Sequence, residues 1–315
     1  PSLLHEERIR DLLIEAGLQE VMTYRLTAPQ REALLLPPNA PPDERPYVTL
    51  ANPISPERTV MRHRLLAGVL DVLAQNLRHR ERVAVFEIGP VFLLSSEKDV
   101  LPDEVPTLCI ALSGPREPAT WHGSDTRPMD FFDLKGILEA LVQGLHIRTV
   151  SFRPAEHPSY HPGRTAHLLV GEEVIGVFGQ LHPWVQEAFD LPSQRPVLAA
   201  ELDLRRLIAH IPDYFTVRPL PRFPAVRQDI ALVVDENIPA QQVEEAIIKA
   251  GGKMLVGVHL FDVYRGAQID PGKKSLAYTL TFNAEDRTLT DEEVARIQAR
   301  IVRSLETSLG ARLRG

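Results

Sequence analysis

Apolar residues recur with two periods along this chain, and the points where one period gives way to the other mark out its elements. Leu4, Ile9, Leu12, Leu13 and Ala16 fall at helical spacing and stop at Gly17, which predicts an opening helix. Leu65, Leu66, Val69, Leu73 and Leu77 predict a second helix over Arg62–Arg78, and a third is expected over Phe132–Leu145. Most other segments of the first two hundred residues read as strands: 20–27, 47–51, 83–94, 105–113, 149–153, 165–170 and 174–179. Short turns such as Gly171-Glu172-Glu173 link neighbouring strands, so an antiparallel sheet with flanking helices is expected rather than repeated βαβ units. The stretch Pro37–Pro46 holds five prolines and must be a loop.

A second proline-rich stretch, Ile211–Pro224, is the natural boundary between two domains, 1–212 and 213–315. Beyond it the pattern is clearest. Strands are predicted at 229–234, 255–264 and 275–282, with Leu276, Tyr278, Leu280 and Phe282 forming one apolar face. A helix is predicted over 241–250, and Thr290 with Glu293 forms a capping box for a long helix ended by Gly310. Residues 311–314 complete a β-α-β-β-α-β order, which is ferredoxin-like, with both helices on one sheet face and the other face open. The fold class expected for the whole chain is α+β.

Composition narrows the possibilities. The 315 residues suit two cores, taking roughly 100–200 residues per domain. Hydrophobic residues make up 44 % and charged residues 24 %, a globular profile with enough apolar surface to order. The single cysteine, Cys109, rules out an internal disulfide and sits in an apolar strand as core filling. With no membrane-length apolar run and no signal peptide, the cytoplasm is the expected location. The first residue is Pro1 rather than Met, which suggests an excised fragment. Residues 213–315 carry 14 basic and 14 acidic side chains, and 1–212 carry 21 against 28, so the net charge of −7 lies in the first part. A polyanion is better received by the neutral second part.

Several suggestive spacings have plainer readings. His157 and His161 are four apart, but Pro158 and Pro162 forbid the helix that would converge them on zinc. Gly272-Lys273-Lys274 lacks the spacing and the hydroxyl of a phosphate loop. Asp130 and Asp133, and likewise Asp291-Glu292-Glu293, suit the positive ends of helices. No catalytic residue and no metal ligand is assigned.

Several motifs occur in a fixed order: Asn52-Pro53-Ile54-Ser55, Met61-Arg62, Val85-Phe86-Glu87-Ile88-Gly89, Phe132-Asp133-Leu134-Lys135-Gly136, His161-Pro162-Gly163-Arg164 and Gly179-Gln180-Leu181-His182-Pro183. These resemble the bacterial phenylalanyl-tRNA synthetase β subunit. Phe223-Pro224-Ala225-Val226, Arg227-Gln228-Asp229-Ile230, Phe261-Asp262-Val263-Tyr264-Arg265-Gly266, Lys274-Ser275-Leu276-Ala277-Tyr278 and Arg287-Thr288-Leu289-Thr290 resemble its ferredoxin-fold anticodon-binding domain. The resemblance implies a degenerate class II synthetase module over 1–212 and an anticodon-binding domain over 213–315. It implies an (αβ)₂ heterotetramer that attaches phenylalanine to tRNA(Phe) with ATP and Mg²⁺, the chemistry and both cofactors belonging to the partner α subunit. In working class II sites an arginine stands two residues before a motif glutamate. If Glu87 is that glutamate, Val85 fills the arginine position, and Gly176–Trp184 holds no arginine either, so no phosphate clamp is expected. For RNA contact the resemblance points to Tyr264 as the stacking residue. Asp262 and Ser275 are expected beside it to read a base edge, with Arg265, Lys273 and Lys274 around it and Arg222 and Arg227 reaching from the linker. A free-standing pseudo-synthetase acting as an RNA-binding or regulatory adaptor is the alternative reading.

Overall fold

In this computed structural model the described residues are 2–94, 101–214, 217 and 221–314. The chain forms two compact units, Pro1–Phe215 and Thr216–Gly315. The proline-rich boundary predicted at 211–224 lies partly outside the described residues.

The first unit runs α1 (Ser2–Glu15), β1 (Gln19–Glu20), β2 (Leu26–Thr27), α2 (Pro29–Ala33), β3 (Val60–Met61), α3 (Leu66–Leu77), β4 (Val83–Leu93), β5 (Asp103–Ser113), α4 (Phe131–Gly144), β6 (Val150–Pro154), β7 (Tyr160–Val170), β8 (Glu173–Leu181), α5 (Pro183–Ala188), β9 (Val197–Asp203) and α6 (Leu204–Ala209). Seven strands form one sheet in the order β1-β4-β5-β9-β8-β7-β6, antiparallel throughout except for the β1–β4 pair. Period-2 alternation sends successive side chains to opposite faces. Phe86, Ile110, Phe178 and Ala200 meet one core with residues of α1, α4 and α6. Val85, Cys109, Val177 and Ala199 meet the other with residues of α3 and α5. Both faces are therefore covered, and Cys109 is buried, its thiol pushed up by burial.

Several expectations for this unit need correction. The strand expected at 20–27 is two short pieces with irregular chain between them, and that expected at 47–51 reduces to a single bridge between Thr49 and Val60. The second helix begins at Leu66, not Arg62, because the chain from 62 to 64 is turned to place two arginines against carboxylates. The central strand β9 had no predicted counterpart. Asp130 and Asp133 do form a capping box, and Arg116 Nη2 and Nε bind them at 2.9 Å each.

The second unit runs β10 (Val226–Asp235), α7 (Ala240–Gly251), a 3₁₀ turn (Gly252–Met254), β11 (Leu255–Tyr264), β12 (Lys273–Phe282), α8 (Asp291–Leu309) and β13 (Arg312–Leu313). Its sheet order β11-β12-β10-β13 is that of the ferredoxin-like fold. Ile230, Leu232, Val234, Leu276, Tyr278, Leu280 and Phe282 face Val243 and Ile247 of α7 and Val294, Ile297, Ile301 and Leu305 of α8. Thr290 and Glu293 cap α8 reciprocally, and Gly310 at φ +61° ends it in the left-handed conformation glycine tolerates. No helix among the described residues is long and apolar enough to cross a membrane.

Candidate nucleic-acid interface

The helix-free face of the second unit is assembled by strand register. Tyr264 pairs with Ser275, which pairs in turn with Val233, and Val233 with Arg312. Asp262, Ala277 and Ala231 make the next row, then His259, Thr279 and Asp229, then Gly257, Thr281 and Arg227. All these positions alternate with the core residues on the same strands.

Tyr264 and Asp262 reach this face because of a β-bulge. Val258 and Leu260 of β11 pack on the helix side, and unbroken alternation would send Asp262 and Tyr264 there too. The register shifts between Leu260 and Asp262, leaving Phe261 as the extra residue. After the shift Asp262 stands opposite Ala277 and Tyr264 opposite Ser275, both on the open side. Ala231 and Ala277 keep the centre of the face low, so the tyrosine ring and the carboxylate rise beside a shallow floor.

Of the residues expected around the site, Tyr264 is half-buried, Asp262 is exposed, and Ser275 is buried between its neighbours on the open side. Lys273 is half-buried and lies 3.7 Å from Asp235. Arg265 is exposed and donates to Glu236 at 2.9 Å, which lowers the carboxylate and raises the guanidinium from their usual values. Lys274 departs from the group. It alternates with Ser275, is buried, and donates through Nζ to the Glu236 carbonyl at 2.8 Å, with burial lowering its pKa. Arg222 is exposed before β10, and Arg227 belongs to β10 itself rather than to a linker, exposed on the open face.

One participant was not foreseen. The Arg314 guanidinium lies 4.9 Å from the centre of the Tyr264 ring, and its Nη2 donates to Gln268 Oε1 at 2.8 Å. Its backbone N–H donates to the Ala231 carbonyl, which docks the chain end beside β10. Nothing local in the sequence links Arg314 to Tyr264; pairing of the last strand brings them together.

The first unit also carries a cleft, of about 860 Å³, lined by Glu32, Asp43, Arg45, His63, Arg64 and Glu201 among others. Two arginines line it, neither of them at the motif positions where the sequence lacks one. Both are already forked onto carboxylates. Arg45 Nη2 lies 2.6 Å from Asp43, and Arg64 Nε donates to Glu201 at 2.8 Å while its Nη2 contacts the same oxygen. Arg64 also donates to Ser159 Oγ at 2.8 Å. The glutamate at the motif position, Glu87, is buried and bound by Arg62 Nη1 at 2.8 Å, and Thr23 Oγ1 donates to its other oxygen at 2.7 Å. Guanidinium forks saturated by carboxylates do not fit the phosphates of ATP, and among the described residues no group of three His, Cys, Asp or Glu side chains is placed to hold a metal.

Comparisons with known proteins agree with this division. Residues 1–204 match the family described as the phenylalanyl tRNA synthetase beta chain CLM domain, and residues 221–314 match the ferredoxin-fold anticodon binding domain. The chain is 43 % identical to the phenylalanine–tRNA ligase beta subunit of Symbiobacterium thermophilum over 97 % of its own length and 34 % of that protein's. It is 40 % identical to the corresponding subunit of Geobacillus kaustophilus over 100 % of this chain and 38 % of that one. The chain thus spans little more than a third of the length of the relatives it matches. Among solved structures, a pyrrolysyl-tRNA synthetase from Desulfitobacterium hafniense superposes with a TM-score of 0.51 at 15 % identity, covering 66 % of this chain and 68 % of that one. That is a likeness of fold: the chain carries a class II synthetase-like unit followed by a ferredoxin-fold unit.

Proposed function

The chain belongs to the phenylalanyl-tRNA synthetase β-chain family, and from that premise we propose that it serves as a non-catalytic part of phenylalanine–tRNA ligase, docking the α subunit and binding the tRNA anticodon region. The first unit, residues 1–212, acts as a scaffold shaped like a catalytic module. Its arginines hold carboxylates, and the ATP- and Mg²⁺-dependent chemistry belongs to the α subunit of an (αβ)₂ assembly in the cytoplasm. The second unit, residues 213–315, holds the anticodon of tRNA(Phe) on its open sheet face. An unpaired base stacks on Tyr264, Asp262 and Ser275 accept or donate at its edge, and Arg227, Arg265 and Lys273 meet backbone phosphates.

The observation that carries this reading is the bulge at Phe261, which turns an aromatic ring and a carboxylate together onto a face free of helices. A sheet whose only task was to cover two helices would not need it. The test is a titration of the tRNA(Phe) anticodon stem-loop at fixed salt. Tyr264→Ala should weaken binding by about 1–3 kcal/mol, roughly 5- to 150-fold, while Tyr264→Phe keeps most of the affinity. Unchanged affinity of the alanine variant would remove the stacking role.

A further inference from the structure

The cleft of the first unit has a hydrogen-bonding imbalance that scaffolding does not explain. His63 Nε2 lies 3.2 Å from the carbonyl oxygen of Pro46, an acceptor only, so in the neutral ring Nε2 carries the hydrogen and Nδ1 is a bare lone pair. Nδ1 is buried without a partner and lies 3.7 Å from Asp43 Oδ2. Burial, followed by the nearby Arg45, pushes the imidazole pKa down, and Arg45 holds the Asp43 carboxyl down to about 2. At neutral pH two acceptors therefore face each other with no hydrogen between them. A buried acceptor left unpaired loses its hydration with nothing in return, so the arrangement calls for a donor.

The surroundings indicate which donor. The cleft is lined by three carboxylates, Glu32, Asp43 and Glu201, against two guanidinium groups, both spent on carboxylates. The rest of the lining includes apolar side chains, the prolines of 37–42 with Leu36, Val91 and Leu93. An anion would meet uncompensated negative charge, whereas a cation with an apolar body would find both parts of the site complementary.

We propose that this cleft binds a small primary ammonium with an apolar body, its N–H groups bridging Asp43 Oδ2 and His63 Nδ1 and its body lying along these apolar side chains. A tetrahedral nitrogen can donate to two acceptors at this separation through different hydrogens. The Asp43 side chain is partly exposed while Nδ1 is covered, so binding shifts residues 43–46 slightly outward.

Phenethylamine is the probe, with 2-phenylethanol as the same body without the charge and ATP as a polyanion. Binding to the protein is followed by nitrogen NMR of the His63 ring. The expected result is saturable binding of the amine about tenfold or more tighter than the alcohol, with Nδ1 moving to the shift of a hydrogen-bonded nitrogen. Asp43→Asn, a change on a surface loop, should abolish most of the preference for the amine. The proposal is overturned if amine and alcohol bind alike, if no saturable binding occurs, or if His63 Nδ1 does not respond. It also fails if Asp43→Asn leaves the preference intact or if ATP displaces the amine.

Discussion

Lys273, Lys274 and Ser275 show how far a single residue's role depends on which way its Cβ points. Adjacent in sequence, they cannot share a face of one strand, and Lys274 is the one turned away, its ammonium tied to the Glu236 carbonyl. Lys274→Met should therefore leave the salt dependence of stem-loop binding unchanged. Arg227→Gln, on the open face, should reduce the slope of log affinity against log salt by about 0.7–1, the contribution of one phosphate contact. His157 supplies a separate prediction. Burial, then the neighbouring Arg64, lowers its pKa from 6.5 to about 4, and its Nδ1 accepts from the Ser159 N–H at 3.2 Å. Above pH 6.5 the ring is neutral in both folded and unfolded chains and adds no pH dependence. Between 6.5 and about 4 the unfolded chain takes up a proton that the folded one refuses, so stability falls as pH falls, by on the order of 2 kcal/mol after allowance for partial exposure. His63 acts in the same direction and Glu32, raised by burial, in the opposite one. Denaturant titrations of wild type and His157→Asn at pH 7.5 and 4.5 isolate the term, because asparagine keeps an acceptor for Ser159 and loses the titration.

At the scale of elements, those with strong local signals stand where the pattern put them. The capping box at Thr290 and Glu293 and the stop at Gly310 bound α8, and alternation from Leu276 to Phe282 gave β12 its apolar face. Strand β9 was missed because Ala199 and Ala200 are buried on opposite faces, which erases alternation. The bulge was equally illegible, since register against a partner strand is not written in one strand. It yields the sharpest element-scale prediction. Deleting Phe261 removes the one extra residue, so Leu260 should stay on the helix side while Asp262 and Tyr264 keep their partners Ala277 and Ser275 on the open face. Deleting Val263 instead keeps the bulge and should turn Tyr264 toward the helices. The second unit should still fold in the Phe261 deletion with stem-loop affinity within about threefold of wild type, and the Val263 deletion should lose affinity about as far as Tyr264→Ala, by about tenfold or more. Circular dichroism with the titration checks both halves of that statement.

At the scale of the whole molecule, each unit has its own closed core, so the two activities should be separable. A fragment of residues 217–315 should melt cooperatively and hold the stem-loop within about threefold of the full chain, and a fragment of residues 1–214 should retain co-purification with the α subunit. Loss of stem-loop binding by the isolated second unit would mean that its open face is not sufficient. By itself the sequence determined the α+β class, the two-part organisation, most element types and the family, because periodicity, caps and ordered motifs are local properties of the chain. Only the tertiary structure decided that Arg64 meets Glu201 across 137 residues, that Arg314 covers Tyr264, and that Lys274 turns inward. These depend on strand register and on long-range charge pairing, and both are fixed only when distant segments pack together.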